Sequence, residues 1–520
     1  MSTSVDAARD LINRLLGWGV TEAVLAPGSR SGPLALAFAA ADRQGLIRLH
    51  VRVDEREAGF LALGMAKASR RIVPVVTTSG TAVANVHPAM LEALHAGVPM
   101  LAISADRPSR LRGTGANQTT DQREIFANIP FVDAVAAVGR LDGPQHLNLE
   151  LDEPLITSTE WIFKAIVVDR PSPQPVAVEH LKIGPRTVVV AGDDARQPAR
   201  ILARDARWPL FAEPSSGSRN GEALVAYRLL LEHAPLADQI ERVISFGHAT
   251  LSRPITRLLS RTDIEIVHVG GQDTFPVPAG PNVQFVDEAS VEGVSDGSWL
   301  GHWQDADTSA VDAIDDMLDG STALDVARTV NAAVPPAGLL LIGSSSPIRD
   351  LDLVARPYVV GERRLLIANR GLAGIDGTLS SAIGAALVRD SSRAIAYVGD
   401  LTFLHGSNGL LIGPSEPRPD LTIVVVNDDG GSIFSTLEQG GEEYSDSFER
   451  VYATPTGADI AALCAGYGIA HQRVGPLGLA DVLNQPVAGI RVVEVPVDRL
   501  GRRELSAALA RAVKNALTQP

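Results

Sequence analysis

At 520 residues the chain is too long for one compact core, and at roughly 150 residues per domain it predicts three or four domains. Its 46 Lys+Arg against 61 Asp+Glu give a formal charge of -15, which argues against nucleic acid as the main partner but leaves room for a small anion held by a few arginines. The single Cys excludes a disulfide framework or multi-Cys metal site, and no export signal or roughly 18-residue apolar span is visible, so a soluble cytoplasmic protein is expected.

In chain order, helical periodicity over 5–16 precedes a short apolar strand at 22–26 and the loop Pro27-Gly28-Ser29-Arg30-Ser31-Gly32. A helix at 33–41, strand at 47–53, helix at 57–69, strand at 73–77, helix at 81–95 and strand at 100–104 follow. Strands alternating with helices imply right-handed crossovers and a parallel sheet, with ligands at the carboxyl ends of the strands. Strands recur at 187–190, 209–212, 243–246, 264–269 and 283–286. A third series falls at 339–342, 365–368, 394–398, 421–426 and 492–495, with a helix at 379–388. The proline-rich 169–186 and the acidic 295–319 read as linkers. The expected architecture is α/β, with three doubly wound parallel-sheet domains at 1–180, 186–320 and 321–520.

The most specific signal is the pair of strand-terminal loops Val398-Gly399-Asp400-Leu401-Thr402 and Val426-Asn427-Asp428-Asp429-Gly430-Gly431. Asp400 and Asp428, 28 residues apart, and the carbonyl of Gly430 offer three hard oxygen ligands, as magnesium requires; manganese is the alternative cation. Glycines at 399, 430 and 431 allow backbone N–H groups to approach a phosphate. Taken alone, Asn-Asp-Asp-Gly-Gly could also be a plain turn.

These loops resemble the signature of the thiamine-diphosphate enzymes, Gly-Asp-Gly followed after a gap in the high twenties by Asn-Asn. Here Leu401 stands at the third position and Asp428 replaces the second Asn. The resemblance implies that Glu55, in Val53-Asp54-Glu55-Arg56, is the carboxylate set against N1′ of the aminopyrimidine, where burial against the ring raises its pKa toward a useful range; for the run taken alone, a cap of the next helix is the other reading. It further implies that Ile375 is the apolar wedge that bends the cofactor, and that Ser79 and Gly80 contact its ring. Ser344, Ser345, Gly399, Asp400, Leu401, Thr402, Asp428 and Ile433 complete the implied cofactor set. Because the cofactor bridges two domains across subunits in this superfamily, a homodimer is the minimum implied assembly, with dimers pairing further.

A cationic set distinguishes the chain from enzymes of simple 2-oxo acids: Arg30, Arg107, Arg349 and Arg370 all lie in strand-end loops and read as carboxylate receptors. For Arg56 and Arg349 a surface ion pair is an equal reading. Together with Ala-Pro-Gly-Ser-Arg-Ser, Asp-Glu-Arg, Thr-Ser-Gly-Thr-Ala-Val-Ala-Asn, Ala-Asp-Arg-Pro, Gly-Ala-Asn-Gln, Asn-Arg-Gly-x-x-Gly-Ile-Asp-Gly and Gly-Gly-x-Ile-Phe, this set resembles the 2-succinyl-5-enolpyruvyl-6-hydroxy-3-cyclohexene-1-carboxylate synthase family of menaquinone biosynthesis. The motifs lie densely and in order in both end domains, and the middle domain resembles the family in architecture only. The implied reaction decarboxylates 2-oxoglutarate and adds the resulting four-carbon carbanion to isochorismate in a 1,4 sense.

By resemblance, Ser29, Arg30, Arg107, Asn117, Gln118 and Arg370 bind substrate, with Arg107 and Gln118 nearest the acceptor, and Ile433 and Phe434 form an apolar wall. Another thiamine-dependent 2-oxo-acid carboligase or decarboxylase is the nearest competing reading. A nucleotide or flavin protein is weaker, since Val190-Ala191-Gly192-Asp193-Asp194 lacks the full glycine pattern. His87 and His95 read as packing or solvent-facing histidines, and Cys464 as core.

Overall fold

The computed structural model describes residues 3–139, 142–156, 160–167, 176–270, 280–389 and 393–518. Much of the expected 169–186 linker, including Pro171, Pro173 and Pro175, lies outside the described residues. The chain divides into two compact units, the first comprising Met1–Pro173, Gly371–Asp390 and Leu404–Asp420, the second the remaining segments.

The first unit is built on β1 (Glu22–Leu25), β2 (Arg48–Val51), β3 (Val73–Thr77), β4 (Met100–Asp106), β5 (Phe131–Val132) and β6 (Gln145–Glu150), ordered β2-β1-β3-β4-β6-β5. Every described pair in this sheet is parallel. β3 and β4 are buried at every residue, as expected of strands covered on both faces. The helix Ser4–Gly17, capped by the reciprocal Thr3–Asp6 bonds, packs Leu11, Ile12 and Leu15 into the core with Leu34 and Phe38. The helix expected over 81–95 is two helices, Thr81–Asn85 and His87–His95. Pro88 explains the break: it has no N–H for an interior helical bond but suits a first turn.

Helix Glu55–Ser69 begins two residues earlier than its pattern suggests, because Asp54 accepts hydrogen bonds from the Arg56 and Glu57 N–H groups. It crosses helix Thr378–Leu387 at backbone contact distance. A Cβ on Gly64 would lie 2.0 Å from the Ser381 carbonyl oxygen, and one on Gly384 would lie 2.2 Å from that of Leu61. The Ser380 hydroxyl donates to buried Glu57 across this crossing at 2.6 Å.

The second unit holds β7 (Val178–Lys182), β8 (Thr187–Ala191), β9 (Leu210–Ala212), β10 (Arg242–Phe246), β11 (Glu265–Val269), β12 (Val283–Val286) and β13 (Glu288–Glu292). It continues with β14 (Leu339–Ile342), β15 (Leu365–Ala368), β16 (Ala394–Gly399), β17 (Leu421–Asn427), β18 (Ala470–Arg473) and β19 (Ile490–Pro496). These form a parallel sheet ordered β12-β11-β10-β8-β9, a pair β13-β7, and a parallel sheet ordered β15-β14-β16-β17-β19-β18. One apolar cluster runs from Val188 and Phe211 of the middle sheet to Tyr397 and Val424 of the last. The expected α/β architecture is observed, as three large parallel sheets among the described residues.

The acidic stretch at 295–319 is not a linker. It contains helix Ser298–Asp315, which buries Trp299, Leu300, Trp303, Ala310 and Ile314 at helical spacing. Its acids are mostly solvent-facing, apart from Asp307, which accepts hydrogen bonds from the Val225 and Ala226 N–H groups. The end of the other expected linker is also structured, since Val178–Lys182 pairs with Glu288–Glu292.

Candidate active site

The expected site residues fall into two sets, one in each unit. In the first unit they gather at the carboxyl ends of β1, β3 and β4. The loop after β1 presses against the loop after β3: a Cβ on Gly28 would lie 2.2 Å from Thr78 Cβ, so glycine is required there. The loop ends in Ser29, which is exposed, and Arg30, which is buried. Arg30 Nη1 donates to the Leu151 carbonyl at 2.9 Å. Burial, and then the neighbouring Arg107 charge, lower the Arg30 pKa. Arg107 is half-buried at the end of β4, its Nη2 donating to the Asn117 carbonyl at 2.9 Å. The Nε of each guanidinium is buried without a protein partner among the described residues. Two neighbouring guanidiniums with unused donors make a receptor for carboxylates.

Asn117 and Gln118 are exposed on the following loop, and Gln118 adopts a positive φ of 54°. A Cβ on Gly80 would come within 3.5 Å of Gln118, so the loop carrying Gln118 lies beside Ser79-Gly80. Beneath both runs a buried polar network. Gly80 N–H donates to Gln122 Oε1 at 2.9 Å, and Gln122 Nε2 donates to Asn148 Oδ1 at 2.8 Å. Asn148 Nδ2 donates to Asp106 Oδ2 at 2.9 Å, while Asp106 Oδ1 accepts the Arg107 N–H at 2.6 Å. The Ser79 and Gly80 backbone is thus tied to the Arg107 backbone through three side chains. Glu55 is half-buried in the first helical residue after Asp54, accepting a hydrogen bond from Asn85 Nδ2 at 3.2 Å. Ile375 is half-buried in the loop before helix Thr378–Leu387, where its carbonyl accepts the Thr378 hydroxyl at 3.0 Å.

In the second unit, Gly399 ends β16 and Asp400 opens the helix Asp400–His405, followed by half-buried Leu401 and buried Thr402. Asp428 follows β17. Asp400 is pushed up to about 7, chiefly by burial and then by the Asp428 charge; Asp428 is also raised, chiefly by burial. The Gly430 N–H donates to Asp400 Oδ2 at 2.7 Å, fixing the two loops together. Gly430 has φ 144°, and a Cβ there would strike the Ala453 carbonyl at 2.4 Å. The buried Asp400 and half-buried Asp428 carboxylates repel each other and form a donor set that a hard divalent cation would relieve, and a Cβ position on Gly399 points into open space. These residues therefore fit a metal and a diphosphate.

Ser344 and Ser345 follow β14, Ser345 with φ 71° as the cap of helix Ser346–Val354. Arg370 follows β15 and is buried. Arg349, whose pKa is lowered by burial and by the Arg370 charge, lies near it. Ile433 and Phe434 sit half-buried in the short turn Ser432–Thr436, the Phe434 ring 5.8 Å from that of Tyr452. The glycine-poor turn after β8 is filled by its neighbour, since a Cβ on Gly192 would lie 2.2 Å from Ala249 N. His87 packs edge-on against Phe126, and Cys464 is buried as expected.

Sequence reasoning missed several polar residues. Asp106 stands inside the quoted Ala-Asp-Arg-Pro and Gln122 just past Gly-Ala-Asn-Gln, so both were within reach; Asn148, on a strand with buried polar residues, had no local signal. Glu57, two residues past Glu55, is buried in the same helix, and its place in a run of charged residues gives no sign of that. It is pushed up to about 7, chiefly by burial. Nothing in the middle-sheet sequence marked Glu213 or Thr250.

Residues 5–125 match the family model for the thiamine pyrophosphate enzyme N-terminal TPP binding domain, and residues 353–515 that for the C-terminal TPP binding domain. The chain is 52% identical over 517 residues to a 2-succinyl-5-enolpyruvyl-6-hydroxy-3-cyclohexene-1-carboxylate synthase of Nocardioides sp., covering 96% of each. It is 46% identical to the synthase of that name from Kineococcus radiotolerans, covering 99% of this chain and 100% of the relative. With that of Thermobifida fusca the identity is 42%, over 99% and 100%. The chain belongs to the thiamine pyrophosphate enzymes and, within them, to the 2-succinyl-5-enolpyruvyl-6-hydroxy-3-cyclohexene-1-carboxylate synthase family.

Proposed function

We propose that the chain decarboxylates 2-oxoglutarate and joins the remaining four-carbon unit to isochorismate by 1,4-addition, giving 2-succinyl-5-enolpyruvyl-6-hydroxy-3-cyclohexene-1-carboxylate and CO2 in menaquinone biosynthesis. The paired guanidiniums of Arg30 and Arg107, each with an unused buried Nε, carry the assignment of polycarboxylate substrates. Thiamine diphosphate, when bound, supplies the electron sink that decarboxylation of a 2-oxo acid requires.

The chain's own residues divide the remaining work. Asp400, Asp428 and the Gly430 carbonyl hold magnesium, or manganese in its place, with Gly399, Leu401, Thr402, Ser344 and Ser345 around the diphosphate. Glu55 exchanges a proton with the aminopyrimidine N1′, while Ser79, Gly80 and Ile375 fix that ring. Ser29, Arg30, Arg107, Asn117, Gln118 and Arg370 bind carboxylates and hydroxyls of donor and acceptor. Ile433 and Phe434 keep water from the reacting carbon. Three domains at 1–180, 186–320 and 321–520 are the proposed organisation, which the three large parallel sheets support in number. The working unit is a homodimer at least, with dimers pairing further, in the cytoplasm. Among the described residues no helix is long and apolar enough to cross a membrane.

The test is a mass balance of products from 2-oxoglutarate and isochorismate with thiamine diphosphate and magnesium. Equal CO2 and adduct are expected. Fast turnover of pyruvate with no dependence on isochorismate would overturn the assignment in favour of another carboligase or decarboxylase.

A further inference from the structure

We propose that Thr250 and Glu213, both from loops of the middle sheet, are positioning residues for Arg370, so that the middle sheet sets the orientation of a substrate-binding guanidinium. The inference rests on the substrate-binding role proposed for Arg370. Arg370 is 3% exposed, and its Nη2 donates to the Thr250 hydroxyl at 3.1 Å. Its Nε has no protein partner among the described residues. Arginine keeps its charge under all ordinary conditions, so a buried guanidinium is oriented by whichever acceptors reach it.

Thr250 is not on a loose loop. It lies past β10, in a turn joined to the loop after β8 by paired backbone bonds. Asp193 N–H donates to the His248 carbonyl at 3.0 Å, and His248 N–H to the Asp193 carbonyl at 2.9 Å. Gly192 lets the two turns touch at backbone distance. On its other side, the Leu251 N–H donates to Glu213 Oε1 at 2.9 Å. Glu213 follows β9, its own N–H bonded to the Ala191 carbonyl at 2.9 Å. Three strand ends of one sheet therefore converge on the hydroxyl that Arg370 meets.

The charges point the same way. Glu213 is 1% exposed and its Oε2 has no protein partner among the described residues; burial pushes its carboxyl up to about 8, a rise that the Leu251 N–H and then the Arg370 charge oppose. Arg349 stands on the opposite account: it and Arg370 repel, since the Arg370 charge lowers the Arg349 pKa. Arg349 is itself tied back by Nη1 donation to the Ser345 carbonyl at 2.8 Å. Two like charges stay beside one another only if each is anchored, and for Arg370 the anchor comes from the middle sheet.

The experiment uses the full chain loaded with thiamine diphosphate and magnesium. Thr250→Val keeps the side-chain shape and removes the acceptor; Thr250→Ser restores it; Arg370→Ala serves as the reference. Thr250→Val is expected to raise the KM of one substrate about tenfold, the usual worth of a hydrogen bond to a charged group. kcat should stay within about twofold and the melting temperature should be unchanged, with Thr250→Ser returning KM to the wild-type value. Glu213→Leu, which removes the acceptor of the Leu251 N–H, should raise the same KM. An unchanged KM in Thr250→Val, while Arg370→Ala raises it, would overturn the positioning role and leave that of Arg370 standing. A joint loss of kcat, KM and melting temperature that serine does not rescue would make Thr250 structural and also overturn it. If Arg370→Ala leaves both KM values unchanged, the substrate-binding role of Arg370 fails, and the inference with it.

Discussion

Glu57 makes stability depend on pH in a way that one substitution can isolate. Its carboxyl is 1% exposed at the crossing of helices Glu55–Ser69 and Thr378–Leu387. Burial raises it from 4.5 to about 7, opposed by the Ser380 hydroxyl and by Arg56, whose Nη2 donates to Oε1 at 3.1 Å. A carboxyl whose folded pKa lies above its unfolded value stabilises the fold fully below the unfolded pKa. That contribution is lost as pH rises through the folded pKa. The window therefore opens near 4.5 and closes a little above 7. At about 1.36 kcal/mol per pKa unit, the loss across it is about 3 kcal/mol. Glu57→Gln keeps the shape and removes the titration. For a chain of this length, with unfolding entropy of about 2 cal/mol/K per residue, 3 kcal/mol corresponds to about 3 °C. Scanning calorimetry at several pH values from 5 to 8 should show the wild-type midpoint falling relative to Glu57→Gln by that amount. Other raised carboxyls, Glu213 among them, contribute equally to both proteins and cancel in the difference. Parallel profiles would refute the reasoning, since Glu57 would then titrate alike in the folded and unfolded states.

Glu55→Gln should lower kcat by about 10²- to 10⁴-fold, the usual worth of a positioned acid–base group, while thiamine diphosphate still binds; retained turnover would remove Glu55 from that role. Asp400→Ala should abolish the magnesium dependence of cofactor binding measured by calorimetry, and an unchanged affinity would count against the metal assignment. Gly384→Ala should destabilise the first unit by about 1–3 kcal/mol or prevent its folding, because the added methyl meets backbone rather than a yielding side chain; a melting temperature equal to wild type would refute that.

The strands were legible because both faces are covered: Val73–Thr77, Leu421–Asn427 and Leu339–Ile342 are nearly unbroken apolar runs. Gln145–Glu150 was not legible, because His146 and Asn148 are buried in a polar network that only the third dimension assembles. Helix Ser298–Asp315 was hidden by composition. Its Asp residues, with those on either side of it, make the stretch read as polar, although Trp299, Trp303, Ala310 and Ile314 already mark a helical stripe. The loops proposed to hold the metal could be singled out from type and spacing alone, since a hard cation needs oxygen ligands and both loops follow apolar strands. Arg370 was recognised as a cation, but its partner Thr250 lies 120 residues earlier in a sheet with no motif. The membership of Gly371–Asp390 in the first unit was likewise invisible, since it depends on close helix contact and not on periodicity.

The crossing at Gly64 and Gly384 also acts as a fulcrum. Nine residues separate Gly64 from Glu55, so at 1.5 Å per residue the carboxylate rides on a rigid arm of about 13 Å. A tilt of about 2° at the crossing would carry the end of that arm by about 0.5 Å, close to the tolerance of a catalytic group. Two missing methyl groups thereby set where the end of the helix that carries Glu55, the proposed proton-exchanging residue, comes to rest. Efforts to reshape the substrate loops can leave this pivot alone, but efforts to stabilise the helix by filling its glycines would move the very residue they were meant to hold.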